Sequence, residues 1–173
     1  HGIVPDMITM GKPMGNGIPI SGLAAKEDVL AAFSDKLPYF NTFGGNPVSI
    51  AAAQAVLKYI KDENLQEHCK KAGAALLKAL KEVQERHPES VGDVRGAGLF
   101  LGFEFVKNDG NKTPDKDMAL NVIEMLRDEH ILTSVIGHYG NILKLRPPMV
   151  FSENDIDWFA TSLDKCITKL ENK

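Results

Sequence analysis

An amphipathic helix near the middle of the chain constrains the fold more than any other segment. Between Glu63 and about His87, apolar residues recur at three- and four-residue steps, with lysines and glutamates on the opposite side. These apolar residues are Leu65, Cys69, Ala72, Leu76, Leu80 and Val83. Pro88 ends the pattern, because proline cannot donate a helical hydrogen bond. The spacing therefore predicts a long helix with one solvated face.

The charge-rich stretch KDENLQE, around Asp62, is the predicted boundary between two domains, residues 1–62 and residues 63–173. With 173 residues and 43% hydrophobic composition, the chain can bury one sizeable core or two small ones. The chain opens at His1 without a methionine and runs directly into an apolar segment. We therefore expect it to be a piece of a longer polypeptide.

Periodicity and capping residues predict an α/β chain. Ahead of the central helix we expect strands at Met7–Met10 and Ile18–Ala25, a helix at Glu27–Phe33, a loop at Leu37–Asn46, and a helix from Pro47 to Ile60 capped by Asn46. After it we expect a strand pair or one bent strand at Val94–Val106, a helix at Asp117–His130, strands at Ile131–Ile136 and Ile142–Leu145, and a last helix capped by Ser152.

Charge and cysteine content exclude several classes of function. The net charge of −3 provides no basic surface for nucleic acid or an anionic membrane. No apolar run approaches the roughly 20 residues that span a bilayer. Cys69 and Cys166 have no second cysteine or histidine at metal-ligand spacing, so we expect no metal site. Both are expected to be reduced thiols of a cytoplasmic protein.

Lys12 lies in the glycine-rich stretch TMGKPMGNG, directly after the first predicted strand. The glycines suit a sharp turn, but the turn does not explain the lysine. The stretch is not a P-loop, because Pro13 follows the lysine and most of the glycines come after it. Lys12 is therefore either an exposed turn residue or an amine placed to capture an aldehyde.

Two further segments are candidate binding sites. The loop FNTFGGNPVS, which contains Thr42, could offer a hydroxyl and backbone amides to a phosphate, or could simply precede a capped helix. In NILKLRPPMVF, Lys144 and Arg146 lie two residues apart on a strand and so share a face. They could bind a carboxylate or a phosphate, or belong to an exposed edge strand. The histidines and Trp158 are interpreted as packing or surface residues.

Taken together and in this order, four stretches resemble the class III (omega) aminotransferases. They are PDMITMGKPMGNGIPISGLAA at 5–25, YFNTFGGNPVSIAAAQAVL at 39–57, VRGAGLFLGFEF at 94–105 and LKLRPPMVF at 143–151. The resemblance covers nearly the whole chain. It implies the fold of pyridoxal-phosphate-dependent transferases, of the aspartate aminotransferase type. Residues 1–62 would be the end of the large domain, and residues 63–173 would be a linking helix and the small α+β C-terminal domain.

The resemblance also implies roles for two residues. Lys12 would form a Schiff base with the cofactor pyridoxal 5′-phosphate and would then move a proton during the reaction. Thr42 matches a threonine that hydrogen-bonds the cofactor phosphate from the other subunit of a homodimer. The full-length protein would then be an enzyme that transfers an amino group from an amine or amino acid to a keto acid.

Several parts of the family's pocket are expected outside this sequence. In the family, the aspartate that pairs with the pyridine nitrogen lies upstream of Lys12, and Asp6 does not match it. The main phosphate loop and the aromatic residue that stacks on the ring are also upstream. An inactive structural or dimerisation fragment is therefore the non-enzyme alternative for the isolated chain.

Lys144 departs from the pattern of many family members. Many carry an arginine at this position, three residues before the paired prolines, where it grips a substrate carboxylate as a bidentate fork. A lysine is a point charge and replaces a fork poorly. The stretches quoted are most similar to the branch that contains phospho-lyases for ethanolamine phosphate and phosphohydroxylysine. Transamination is our first expectation, because it is commoner in the family, and phosphate elimination is the alternative.

Overall fold

Two groups of helices and strands follow each other along the chain. The computed structural model describes residues 2–172. It divides the chain into two units, of which the first ends at Glu63 and the second begins at Asn64. Their assignment to parts of a larger enzyme stays a prediction.

The first unit contains strand β1 (Met7–Met10), one turn of 3₁₀ helix (Lys12–Gly15), strand β2 (Gly22–Ala25), helix α1 (Glu27–Ser34) and helix α2 (Pro47–Asp62). The second unit contains helix α3 (Leu65–Arg86), strands β3 (Val91–Ala97) and β4 (Phe100–Phe105), helix α4 (Lys116–Asp128), strands β5 (Ser134–Ile136) and β6 (Ile142–Leu145), and helix α5 (Glu153–Glu171).

Strands β1 and β2 of the first unit form an antiparallel pair, in which Met7 lies opposite Ala25 and Met10 opposite Gly22. Strand β1 agrees with the prediction. Strand β2 is shorter than the predicted Ile18–Ala25, and Pro19, which has no N–H to pair, lies in the part that is missing from the strand. The 3₁₀ turn that follows β1 lies against α2.

The first unit buries little of its apolar surface. Gly15 is buried there, whereas α2 buries none of its residues, although its sequence is typical of a helix packed inside a domain. Side chains such as Val48, Leu57 and Tyr59 are exposed along this helix. Within the first unit, α2 therefore keeps apolar side chains uncovered.

The second unit is a four-stranded antiparallel sheet in the order β3-β4-β6-β5, packed against three helices. Alternate residues of β4 and β6 point into the core, among them Phe103 and Leu143. The core is completed by residues of α3, α4 and α5, such as Leu80, Val122 and Leu163. The opposite face of β4 and β6 is only half-buried.

The long helix α3 confirms the predicted amphipathic helix and buries Leu65, Ala72, Leu76, Leu80 and Val83. It also allows a close approach, because a Cβ atom on Gly73 would lie 2.2 Å from the carbonyl oxygen of Gly98, in the turn between β3 and β4. The glycine therefore lets the helix lie directly against that turn.

Some element boundaries of the second unit differ from the prediction. Val94–Val106 forms a strand pair, which is one of the two predicted alternatives, and its first strand begins earlier, at Val91. The predicted helix to His130 ends at Asp128, and strand β5 begins at Ser134 instead of Ile131. His130 has φ +64° and the N–H of Ile131 bonds the carbonyl of Leu126, so this segment closes the helix and cannot pair with a strand.

Among residues 2–172, no helix has the length and apolar character that a membrane crossing requires.

Candidate functional site

Backbone hydrogen bonds between residues three positions apart hold the turn that contains Lys12. The N–H of Met14 donates to the carbonyl of Gly11 at 3.2 Å, and the N–H of Asn16 donates to Pro13 at 3.0 Å. Gly15 is buried, and a Cβ atom there would lie 2.9 Å from the side chain of Ile20. The turn therefore depends on glycine for its packing.

Lys12 itself adopts a left-handed conformation with φ +54°. This conformation is uncommon for a residue other than glycine, asparagine or aspartate, and it costs about 1 kcal/mol. The side chain is exposed, and within residues 2–172 it forms neither an ion pair nor a side-chain hydrogen bond. By contrast, Lys26 pairs with Asp6 at 2.6 Å. The amine of Lys12 is therefore available to a ligand.

The loop around Thr42 is organised by two asparagines. The side chain of Asn41 accepts the N–H groups of Phe43 at 3.1 Å and Gly44 at 2.9 Å. Asn46 caps α2 by accepting from Val48 and Ser49, which confirms the predicted cap. The backbone amides of Phe43 and Gly44 are therefore occupied. Thr42 is exposed, so its hydroxyl remains accessible to a phosphate.

Lys144 and Arg146 both line one cleft of about 500 Å³ in the second unit. Strand β6 ends at Leu145, so Arg146 lies just beyond the strand and not on it as expected. Pro147 and Pro148 have no N–H group and cannot continue the pairing. Even so, the two cationic residues share one cleft of a size typical for small ligands.

The cleft has a polar and an apolar part. Its polar lining comes from His130, Thr133, Ser134, Lys144, Arg146 and Asp155. Its apolar walls are Leu76, Ile131, Leu132, Leu145, Pro147, Pro148, Phe151, Trp158 and Phe159. Trp158, which we interpreted as a packing or surface residue, is 47% exposed and lines this cleft.

The carboxylate that lines the cleft, that of Asp155, is already hydrogen-bonded by Ser152. Asp155 accepts from the backbone N–H of Ser152 at 2.8 Å and from its hydroxyl at 2.6 Å, which completes the capping box of α5. These bonds, chiefly the one from the hydroxyl, hold the pKa of Asp155 below its usual range, so it stays ionised near neutral pH. Two cationic side chains thus face one carboxylate that is bonded elsewhere, and the cleft suits an anion.

Neither cation of the cleft is neutralised by an ion pair within the part of the chain that the structure describes. On the neighbouring strand β4, Glu104 is bound by Arg95 at 2.7 Å. Arg95 also holds Asp93 at 2.6 Å, and the bonds to Glu104 and then Asp93 raise the pKa of its guanidinium. Glu104 is therefore not paired with Lys144.

The comparisons with known proteins place the chain in a family. The model of the class III aminotransferases matches residues 1–167. The chain is 45% identical to ethanolamine-phosphate phospho-lyase homolog 1 of Caenorhabditis elegans, over 96% of this chain and 36% of the relative. It is 36% identical to the mitochondrial alanine–glyoxylate aminotransferase 2 homolog 2 of Arabidopsis thaliana, over 98% of this chain and 35% of the relative.

A solved phospholyase from Arthrobacter, in complex with phosphoethanolamine, is similar with a TM-score of 0.92 and 38% identity, over 96% of this chain and 39% of that chain. The predicted fold, that of pyridoxal-phosphate-dependent aminotransferases, is thereby confirmed. The chain spans about a third of the length of the curated relatives, 36% and 35%. It belongs to the class III aminotransferase family.

Proposed function

We propose that the full-length protein is a pyridoxal-phosphate-dependent enzyme that eliminates phosphate from a phosphorylated amine. Lys12 would hold the cofactor covalently through Nζ, and Thr42 would donate a hydrogen bond to its phosphate. The observation that carries elimination is the cleft of the second unit, in which Lys144 and Arg146 form no ion pair with any of residues 2–172. The similarity to a phospho-lyase homolog and to a solved phospholyase supports the same choice.

The amine of Lys12 and the hydroxyl of Thr42, both in the first unit, suit a ligand that carries an aldehyde and a phosphate. Lys12 offers a primary amine, which condenses with an aldehyde, and this amine has no competing carboxylate among the described residues. Thr42 offers a hydroxyl, which donates to phosphate oxygens. When bound, pyridoxal phosphate supplies an electron sink for the carbon from which a proton is removed.

The residues of this chain would carry out proton transfer and phosphate binding. The Nζ of Lys12 takes up and returns the proton at the substrate carbon. Lys144 and Arg146 bind the phosphate group and stabilise the charge that gathers on it as it leaves. The C–O bond to phosphate breaks, its electron pair departs with the phosphate, and water then releases an aldehyde and ammonia.

A homodimer in the cytoplasm is part of the proposal, with Thr42 reaching the cofactor of the neighbouring subunit. Phe40 and Phe43, which lie in the same loop on either side of Thr42, are 86% and 83% exposed. Exposed aromatic side chains of this size are typical of surfaces that another chain covers.

Transamination is the second candidate, because the relative from Arabidopsis is named an aminotransferase and the chemistry of Lys12 serves both reactions. The test incubates full-length enzyme with ethanolamine phosphate alone and, separately, with an omega-amine plus pyruvate or 2-oxoglutarate. We expect free phosphate, acetaldehyde and ammonia without any keto acid. Strict dependence on the keto acid, with the amine appearing on it, would rule out elimination.

A further inference from the structure

Lys144 lies between two small residues, Ser134 and Gly102, on the half-buried face of the sheet. Ser134 of β5 lies directly opposite Lys144 of β6, and Gly102 of β4 lies opposite Lys144 on its other side. Residues directly opposite each other in an antiparallel pair point to the same face, with Cβ atoms roughly 4.5–5.5 Å apart. The hydroxyl of Ser134 and the amine of Lys144 can therefore reach one ligand.

The hydroxyl of Ser134 is available for that purpose. It takes part in none of the side-chain hydrogen bonds found within residues 2–172, and it lines the same cleft as Lys144. The neighbouring hydroxyl of Thr133 differs, because it donates to the backbone carbonyl of Lys144 at 3.2 Å. Of these two adjacent hydroxyls, only that of Ser134 is free to bind a ligand.

A point charge next to a hydroxyl suits a phosphate better than a carboxylate. A phosphate monoester carries three acceptor oxygens in a tetrahedral arrangement, so an ammonium and a separate hydroxyl can each bind a different oxygen. A carboxylate has two coplanar oxygens, which match the fork of an arginine. Gly102 adds no side chain that would fill the space beside Lys144.

We propose that Ser134 is a binding residue for the phosphate group of the substrate, which it holds by a hydrogen bond from its hydroxyl while Lys144 neutralises the charge. This inference rests on the proposed function. It adds Ser134 as a residue that determines substrate specificity, because its hydroxyl favours phosphorylated over unphosphorylated amines.

The test compares two variants of the full-length holoenzyme that have the same shape. Ser134→Val removes the hydroxyl, and Ser134→Thr keeps it, while both side chains are β-branched and suit a strand. We expect Ser134→Val to raise the KM for ethanolamine phosphate about tenfold, as for the loss of a hydrogen bond to a charged group. Ser134→Thr should recover most of that loss. Thr161→Val, on the exposed side of α5, removes a hydroxyl outside the cleft and serves as the control.

Binding of inorganic phosphate, measured by calorimetry on the same variants, separates this inference from the proposed function. If the unmodified enzyme releases no phosphate from ethanolamine phosphate, the proposed function fails. The inference then stands only if Ser134→Val weakens phosphate binding and Ser134→Thr does not. If the Val and Thr variants match each other in KM and in phosphate affinity, the assignment of Ser134 is overturned.

Discussion

At the scale of single residues, the identity of the cation at position 144 bears directly on substrate choice. Lys144 is a half-buried point charge between Ser134 and Gly102, on a strand where an arginine would present a planar fork. Arg146 supplies a guanidinium to the same cleft, but from beyond the end of the strand. The cleft thus carries both kinds of cation in different positions.

We predict that Lys144→Arg shifts the full-length enzyme towards amines that carry a carboxylate. The ratio of kcat/KM for ethanolamine phosphate to kcat/KM for a carboxylate-bearing omega-amine should fall about tenfold, the equivalent of roughly one charged hydrogen bond. Steady-state kinetics with both substrates measure it. Lys165→Arg, an identical change on the exposed side of α5, should leave the ratio as it was. An unchanged ratio in Lys144→Arg would remove Lys144 from the substrate site.

At the scale of elements, a buried histidine ties the end of α3 to α5. His87 is 6% exposed, and its two ring nitrogens lie 2.7 Å from the carboxylate of Glu171 and 3.2 Å from that of Asp164. Arg86 donates to the same oxygen of Asp164, and Ser90 donates to the other oxygen of Glu171. Five side chains thus join the two helices through one small network.

We predict that His87→Ala destabilises the protein by about 2 kcal/mol, because the buried ring and its contacts with the two carboxylates are lost and a small cavity remains. Unfolding in urea, monitored by the helical signal in circular dichroism, measures the change in the free energy of unfolding. His138→Ala, the same substitution at an exposed loop position, should cost much less. Equal effects of the two substitutions would show that the network adds no stability.

The sequence predicted helices and strands well where their formation depends only on residues close by in the chain. The caps at Asn46 and Ser152, the strand at Ile142–Leu145 and the long helix α3 all follow from chemistry within a few residues. The start of β5 did not follow from such signals, because it depends on the left-handed turn at His130.

The candidate site was predictable only in part, for a related reason. Lys144 and Arg146 stand out as two cations close in sequence, and the structure brings them into one cleft. Ser134 and Trp158 join that cleft through strand pairing and helix packing, which relate residues distant in sequence. Register is a property of paired strands, so a three-residue strand such as β5 carries no readable signal of its own.

At the scale of the whole molecule, the two units differ in how far they can support themselves. The hydrophobic core of the described residues lies in the second unit, from Ala72 to Ile167. The first unit leaves large apolar side chains exposed, such as Ile3, Met7 and Leu23. Surfaces of this kind are normally covered by further protein, and the chain spans only 36% of the phospho-lyase homolog from Caenorhabditis elegans.

We predict that limited proteolysis of the 173-residue polypeptide leaves a stable fragment that begins near Asn64. Cleavage within the first unit should be at least about tenfold faster than within the second, because local opening is easy where few apolar contacts are made. Mass spectrometry of the digest over time identifies the fragments. In the full-length protein the same first-unit bonds should be protected. Equal cleavage of the two units would contradict this account of where the stability lies.

The most direct measurement for the proposed function is the identification of the residue that binds the cofactor. Full-length protein is loaded with pyridoxal phosphate, reduced with borohydride, digested and examined by mass spectrometry, beside the variants Lys12→Ala and Lys36→Ala. Lys36 is an exposed lysine of the same unit, outside its helices and strands, and serves as the control. We expect the reduced cofactor on the peptide that contains Lys12 and the same result in Lys36→Ala. In Lys12→Ala we expect no covalently attached cofactor and no absorbance of the Schiff base. A cofactor fixed to another lysine, or retained covalently in Lys12→Ala, would contradict the account.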